Sequence, residues 1–109
     1  MTDDGERIAV GFDQAVNMTA AELERWLDTE ESKSVGDKSG GEESTGHRSG
    51  RRIIEILRRR KDDLEEDDYA HMRKVIGYVR RHLTQRPSGD VKETRWRYSL
   101  MNWGHDPLK

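Results

Sequence analysis

The chain has 109 residues, of which 39% are charged and only 31% hydrophobic, and its 20 lysines and arginines nearly balance 22 aspartates and glutamates. This length predicts one small domain, and the absence of cysteine excludes disulfides, thiolate catalysis and cysteine zinc sites. No apolar run approaches the roughly 18 residues of a membrane span. Because the acidic first six residues are also unlike a secretory signal, we expect a cytoplasmic protein with no membrane partner.

The near-neutral total conceals strongly separated charges. Residues 1–31 carry a net charge of −7 and residues 62–69 one of −6, whereas residues 47–61 and 70–109 each carry +6. Such separation is typical either of nucleic-acid binding or of ion pairing between segments of one protein. The pattern of charge alone leaves both interpretations open.

Two short helices are predicted in the N-terminal part, after a disordered tail over residues 1–6. Ile8 and Phe12 begin an apolar pattern with helical spacing. Thr19 is followed three residues later by Glu22, which is the signature of a capping box at the start of the second helix. The apolar face of that helix consists of Ala20, Leu23 and Leu27, with Trp26 beside it.

Residues 29–50 are predicted to form a long, flexible Gly/Ser-rich loop, because they hold five of the ten glycines and five serines. Loops of this length are usually either functional or disordered. Gly41 and Gly46 have the spacing of a Walker A loop. Since His47 and Arg48 stand where that loop needs lysine and a hydroxyl residue, nucleotide hydrolysis is not indicated.

Three further helices are predicted beyond this loop. Ser49 is expected to cap the first, which has Ile53 and Leu57 on its apolar face. The longest covers residues 64–85, where an acidic start and a basic end match the helix dipole. Its predicted core stripe is Tyr69, Met72, Ile76, Val79 and Leu83. The last helix carries Trp96, Leu100 and Trp103.

No segment alternates as a strand does, so the predicted fold class is all-α. We expect a compact bundle of four to five helices, with the long Gly/Ser-rich loop, in a single helical domain over residues 1–109.

The segment 46–52 is the strongest candidate for an anion site. At a helix N-terminus, glycines, a hydroxyl and several cations would meet free backbone N–H groups, where a nucleic-acid phosphate is favoured. A serine cap with solvent-facing arginines explains the same residues equally well. The residues assigned to this site are His47, Arg48, Ser49, Arg51 and Arg52.

A second basic face is predicted on the long helix. Lys74, Tyr78 and Arg81 fall at i, i+4 and i+7, opposite the predicted core stripe, and an aromatic ring between two cations suits a charged backbone with a base or sugar on the ring. A tyrosine that merely covers surface is the alternative. Arg58 would join this face if the two helices turn the relevant sides together.

We expect neither a metal nor a cofactor. Asp67 and Asp68 precede His71 on one helix, and this single carboxylate and histidine pair is too little for the di-metal sites of helical bundles. No Ser/His/Asp spacing or paired-carboxylate motif has a recognisable context, so we expect no enzyme activity.

Four strings of the sequence resemble a family of small microbial proteins. These strings are Ser32–Gly36, Gly46–Ile53, Tyr69–Val75 and Trp96–Pro107. The family is catalogued as domain of unknown function number three-one-four-zero, and its members are sometimes labelled DNA-binding. The resemblance covers roughly residues 17–109, implies DNA binding and brings no catalytic residues.

Together these features predict a small nucleic-acid-binding accessory protein. It would contact phosphates of DNA or RNA through the Gly/Ser/Arg helix start and the basic helix face. The alternative is a protein-protein interaction module with no nucleic-acid or catalytic activity. In that case the acidic residues 1–31 or 62–69 would meet a basic protein partner, and the 29–50 loop would order on binding.

Overall fold

The computed structural model of the protein describes residues 2–35 and 44–109. Within these ranges all regular secondary structure is helical, which confirms the all-α prediction. The helices are α1 (Thr2–Ala15), α2 (Ala20–Leu27), α3 (Glu30–Ser34), α4 (Thr45–Arg58), α5 (Glu66–Leu83) and α6 (Arg95–Asn102), with a 3-10 turn at Lys61–Asp63 between α4 and α5. None of these helices is both long and apolar enough to cross a membrane.

The first two helices pack where their sequence patterns predict. The capping box of α2 is present: Thr19 Oγ1 accepts from the Glu22 N–H at 3.1 Å, and Glu22 Oε1 accepts from the Thr19 N–H at 2.9 Å. α1 begins at Thr2, within the segment predicted as a disordered tail. A Cβ added at Gly5 would lie 3.8 Å from the Tyr69 ring, so the N-terminal turns of α1 rest on α5.

Helices also occupy part of the predicted 29–50 loop. Thr29 caps α3, and Ser44 caps α4 by accepting from the His47 N–H at 3.1 Å. Ser49, the predicted cap of this helix, instead lies buried in its second turn. With Ser44 as the cap, Gly46, Ser49 and Gly50 lie on the buried face of α4 that continues to Ile53. The burial of this face explains why Ser44 caps the helix and Ser49 does not. The rest of the predicted loop, residues 36–43, lies outside the described residues.

The core lies mainly between α1 and α5 and between α2 and α4, with α6 packed against α2, α4 and α5. α1 packs along one side of α5, while α4 and α6 contact the other. The predicted stripe of α5 is only partly correct: Met72 and Val79 are buried, but Leu83 is 37% exposed and the unpredicted Val75 is fully buried. Since helices cover α5 on both sides, its buried arc is wider than one stripe.

The segment after α5 closes the bundle through polar contacts. Asn102 is 1% exposed; its Oδ1 accepts from Trp26 Nε1 at 2.7 Å and from Ser32 Oγ at 2.5 Å, so α6 is tied to α2 and α3. Arg97 and Asp106 form a two-point ion pair, with both nitrogen–oxygen distances 3.1 Å. These contacts account structurally for much of the string Trp96–Pro107.

Candidate functional site

α4 and the first half of α5 run antiparallel and enclose a cleft of about 620 Å³. Two side-chain contacts set their register: Ser49 Oγ lies 2.9 Å from His71 Nε2, and Arg52 Nη2 donates to Asp68 Oδ1 at 2.8 Å. The cleft is lined by Thr45, Arg48, Ser49 and Arg52 from α4, by Asp67, Ala70, His71 and Lys74 from α5, and by Trp103.

Helical periodicity explains why these residues share one surface. Between Thr45 and Arg52, and again between Asp67 and Lys74, the lining residues stand at i, i+3, i+4 and i+7, which is one face of a helix. Both faces point into the same cleft. Two basic helix faces predicted from the sequence are therefore partly brought together.

The cleft has a buried floor and an exposed cationic rim. Ser49 and Trp103 form the floor and are 4% and 5% exposed. The side chains of Arg48 and Lys74 are exposed, and Arg52 is about one-third exposed. Among the residues that the structure describes, three lining cations and one lining carboxylate, Asp67, give the cleft a positive balance.

Asp68 reduces this positive charge at one end. Its carboxylate is 2% exposed and accepts from Arg52, from Arg59 Nη1 at 2.9 Å and from the Glu65 N–H at 2.9 Å. The Glu65 hydrogen bond and the two guanidinium groups hold the pKa of Asp68 below its ordinary value despite burial. Asp68 is thus ionised at neutral pH and offsets the charge of Arg52 where it enters the cleft.

His71 is the titratable group of the floor. Burial lowers its pKa, and the neighbouring cations Arg52 and Lys74 lower it further. The imidazole is therefore mainly neutral at pH 7, and its Nε2 forms a hydrogen bond with the Ser49 hydroxyl. Its ring lies nearly parallel to the Trp103 indole, at 8° with 6.3 Å between the centroids.

Trp103 also belongs to a column of rings between α5 and α6. Tyr78 stacks on Trp103 at 4.2 Å between centroids and on His82 at 5.0 Å, and His82 lies parallel to Trp96 at 6.4 Å. The column corrects the predicted position of Tyr78 on a wet face. Tyr78 is half-buried because Trp103 packs on its ring, and burial raises the pKa of its hydroxyl.

His82 is expected to lower the stability of the fold within this column. Its Nε2 is buried, no described residue offers that atom a hydrogen bond, and burial lowers the pKa of the ring. Because the unfolded chain takes up the proton more readily, His82 should reduce stability as the pH falls through about 6.5. We expect His82→Phe to raise the free energy of unfolding by about 1 kcal/mol and to flatten its loss on acidification.

Urea unfolding at about pH 7.5 and pH 5 tests this expectation for His82. The control is His82→Gln, which removes the titration but keeps a polar group in the column. It should flatten the pH dependence without the gain at neutral pH. If His82→Phe and the wild type lose stability equally on acidification, His82 does not contribute as described.

Besides Tyr78, four predicted site residues do not line the cleft: His47, Arg51, Arg58 and Arg81. His47 turns inward, with its Nε2 2.7 Å from the Leu27 carbonyl oxygen. Arg51 is exposed on α4 and lines a neighbouring depression together with Arg48 and Arg52. Arg58 and Arg81 do not line the cleft.

Arg58 forms an ion pair with Glu24 of α2 instead. Both of its terminal nitrogens lie 3.3 Å from the Glu24 carboxylate, which directs the guanidinium away from α5. Arg81 lies a turn beyond Gly77 on α5. The structure therefore brings together Arg48, Ser49, Arg52 and Lys74, places Arg51 beside them, and leaves out Arg58, Tyr78 and Arg81.

Five of the lining residues were not predicted from the sequence as parts of a site: Thr45, Asp67, Ala70, His71 and Trp103. For α5 the signal was present, because Asp67, Ala70 and His71 share the helical face of Lys74. The position of Trp103 has no such local signal, since it depends on how α6 crosses α5. Within residues 2–35 and 44–109, no group of three or more His, Asp or Glu side chains is placed to hold a metal ion.

Comparison with known proteins defines the family of the chain. No curated protein and no solved structure matches it significantly. The profile of one family, described as "Protein of unknown function (DUF3140)", matches residues 11–101, which include α2 to α5, the end of α1 and most of α6. The chain therefore belongs to the DUF3140 family of proteins of unknown function.

Proposed function

We propose that the protein is a cytoplasmic accessory protein that binds DNA or RNA and contacts backbone phosphates at the cleft between α4 and α5. The observation that supports this proposal is the convergence of Arg48, Arg52 and Lys74, from two helices, on one cleft whose described lining contains one carboxylate. Cations grouped in this way attract a polyanion and release its counterions on binding.

The cationic surface extends from the cleft along α4. Arg48 and Arg52 also line the depression that contains Arg51, so the cationic surface continues from the cleft onto the neighbouring side of α4. Acidic groups limit this surface, since Glu24 and Glu55 line the same depression. The arrangement favours a local contact with a few phosphates over indiscriminate polyanion binding.

The salt dependence of binding tests the proposal. A duplex of about twenty base pairs and each of its single strands should bind at about 50 mM salt, with an affinity that falls as salt rises. Each phosphate contact contributes about −0.9 to the slope of log K against log salt on duplex DNA. Arg48→Gln combined with Lys74→Gln should therefore make the slope shallower by about two, as fluorescence anisotropy would show.

A matched double variant controls for total charge. Arg7 and Arg80 line a separate groove between α1 and α5, so Arg7→Gln with Arg80→Gln removes two cations away from the cleft. We expect this variant to keep the wild-type slope. Equal slopes in both double variants would place the contact elsewhere. Absence of binding at about 50 mM salt would contradict the proposal and favour the interaction module.

A further inference from the structure

The cleft is deeper than a phosphate contact requires. Arg48 and Lys74 are exposed at the rim, whereas Ser49 and Trp103 on the floor are at most 5% exposed. A duplex keeps its bases stacked inside and would present only phosphates and sugars to the rim. Since Ser49 and Trp103 are covered by their neighbours, the surface that the floor offers is mainly the half-buried His71 imidazole and the exposed Ala70, which suit an unstacked planar ring. The volume of about 620 Å³ lies in the range of small-molecule pockets.

Among the residues that the structure describes, one end of the cleft carries two cations and the other carries two carboxylates with one cation. The register set by the Ser49–His71 and Arg52–Asp68 contacts places Arg48 beside Lys74 at one end. At the other end the carboxylates of Asp67 and Asp68 accompany Arg52. A phosphate is therefore favoured beside Arg48 and Lys74, and a hydrogen-bond donor is favoured beside Asp67.

The distance between these ends suits a single nucleotide. Asp67 and Lys74 are seven residues apart on α5, which corresponds to about 10 Å along the helix axis. A nucleotide spans a similar length from its phosphate to the far edge of its base. The exocyclic amino group of cytosine, adenine or guanine lies on a base edge, and a carboxylate is a suitable acceptor for it.

We infer that the cleft holds one nucleotide unit, with its phosphate at Arg48 and Lys74, its base over the floor formed by Ser49, His71 and Trp103, and a base amino group at Asp67. This inference rests on the proposed function and deepens it. The ligand is then an unpaired nucleotide of a single strand whose base carries an amino group, and Asp67 is the residue that discriminates between bases.

Three labelled strands of ten residues test the inference by fluorescence anisotropy at about pH 8 and about 50 mM salt. They are oligodeoxycytidylate, oligothymidylate and an abasic strand of the same length. We expect the abasic strand to bind roughly tenfold more weakly than oligodeoxycytidylate, because it lacks the ring over the floor. Oligothymidylate should also bind about tenfold more weakly than oligodeoxycytidylate, because thymine has no exocyclic amine.

Asp67→Asn provides the sharpest variant. It should abolish the preference for cytosine over thymine while leaving the binding of the abasic strand no weaker. Asp67 is exposed in the first turn of α5, so the change does not disturb the core. A preference for cytosine that persists in this variant would overturn the role given to Asp67.

Filling the cleft gives an independent test. Ala70 is exposed on α5 and lines the cleft, so Ala70→Phe should reduce the affinity for oligodeoxycytidylate to that of the abasic strand. Ala21→Phe is the matched control, since Ala21 is exposed on α2 and does not line the cleft. Undiminished affinity in a folded Ala70→Phe variant would overturn the inference.

The outcomes separate the inference from the proposed function. If the abasic strand, or a duplex, binds as tightly as oligodeoxycytidylate, the inference fails while nucleic-acid binding stands. If no strand binds, both fail. Cytidine 5′-monophosphate distinguishes the source of the nucleotide in a competition experiment. Competition as strong as that of the unlabelled strand would assign the cleft to a free nucleotide and overturn the nucleic-acid function.

Discussion

Asp68→Asn is expected to lower the free energy of unfolding by about 3 kcal/mol. The carboxylate is 2% exposed and is the shared acceptor of Arg52, Arg59 and the Glu65 N–H. Asparagine keeps the shape of the side chain but removes the charge that both guanidinium groups face. Because the two arginines are 36% and 39% exposed, water recovers part of the loss, which places the effect at the lower end for a broken buried ion pair.

The same carboxylate predicts how stability responds to acid. The pKa of Asp68 lies below its ordinary value of 3.8, chiefly because the Glu65 N–H and then the two arginines stabilise the charged form. The stabilisation is therefore complete above this ordinary value and is lost as the pH falls through the lower pKa of the folded state. Asp68→Asn should lose less stability than the wild type on acidification below about pH 4.

Urea unfolding at neutral pH, followed by circular dichroism, measures the loss. The matched control is Asp67→Asn, which removes the same charge from the same first turn of α5 but from an exposed side chain. We expect this control to cost less than about 1 kcal/mol through the helix dipole. Equal losses in the two variants would show that the pairing of Asp68 is not what stabilises the fold.

Asp68 also links stability to the proposed function. Its carboxylate forms an ion pair with Arg52, which is one of the three described cations that line the cleft. Neutralising Asp68 releases that cation for a phosphate. Asp68→Asn should therefore steepen the salt dependence of nucleic-acid binding by about one phosphate contact, although it weakens the fold.

Elements that depend on neighbouring residues were predictable from the sequence. The capping box at Thr19 is complete within four residues, and the structure confirms it. The acidic start and basic end of α5 likewise identify a helix, because the dipole acts within the first and last turns. In both cases the stabilising contacts are local, so a sequence pattern contains all of them.

Choices made by tertiary contacts were not predictable in the same way. Ser44 and Ser49 are both suitable caps, and the structure selects Ser44 because the turn after it packs against Leu27, Asn102 and Trp103. Gly46 and Gly50 suggested a loop by composition. They are instead glycines within a helix, and α4 lies so close to those residues that a larger side chain does not fit.

The candidate site shows the same division. Each helix face of the cleft has a period that is visible in the sequence, but joining them requires the register of α4 on α5. That register depends on the Arg52–Asp68 and Ser49–His71 contacts, which are 16 and 22 residues apart in the chain. The predicted position of Tyr78 was wrong for the same reason, since Trp103 packs on its ring from the C-terminal end of α6.

Gly50 and Gly77 are expected to respond in opposite directions to alanine, although both lie inside helices. A Cβ at Gly50 would lie 2.7 Å from the Asn102 carbonyl oxygen and 2.9 Å from Leu27 Cδ2. A backbone oxygen cannot move aside without shifting α6. We expect Gly50→Ala to cost about 3 kcal/mol, even after the better helix propensity of alanine is included.

Gly77→Ala is the matched control in α5. The nearest atom to its added Cβ is Arg81 Nη1 at 3.1 Å, and this end of a long side chain can move. The gain in helix propensity should then dominate and raise stability by about 0.5–1 kcal/mol. In thermal unfolding, a loss of 3 kcal/mol should lower the Tm of a domain of this size by more than about 8 °C. A wild-type Tm for Gly50→Ala would mean that α4 does not pack this closely on Leu27 and Asn102. The α4 residues that line the cleft would then lie in different positions.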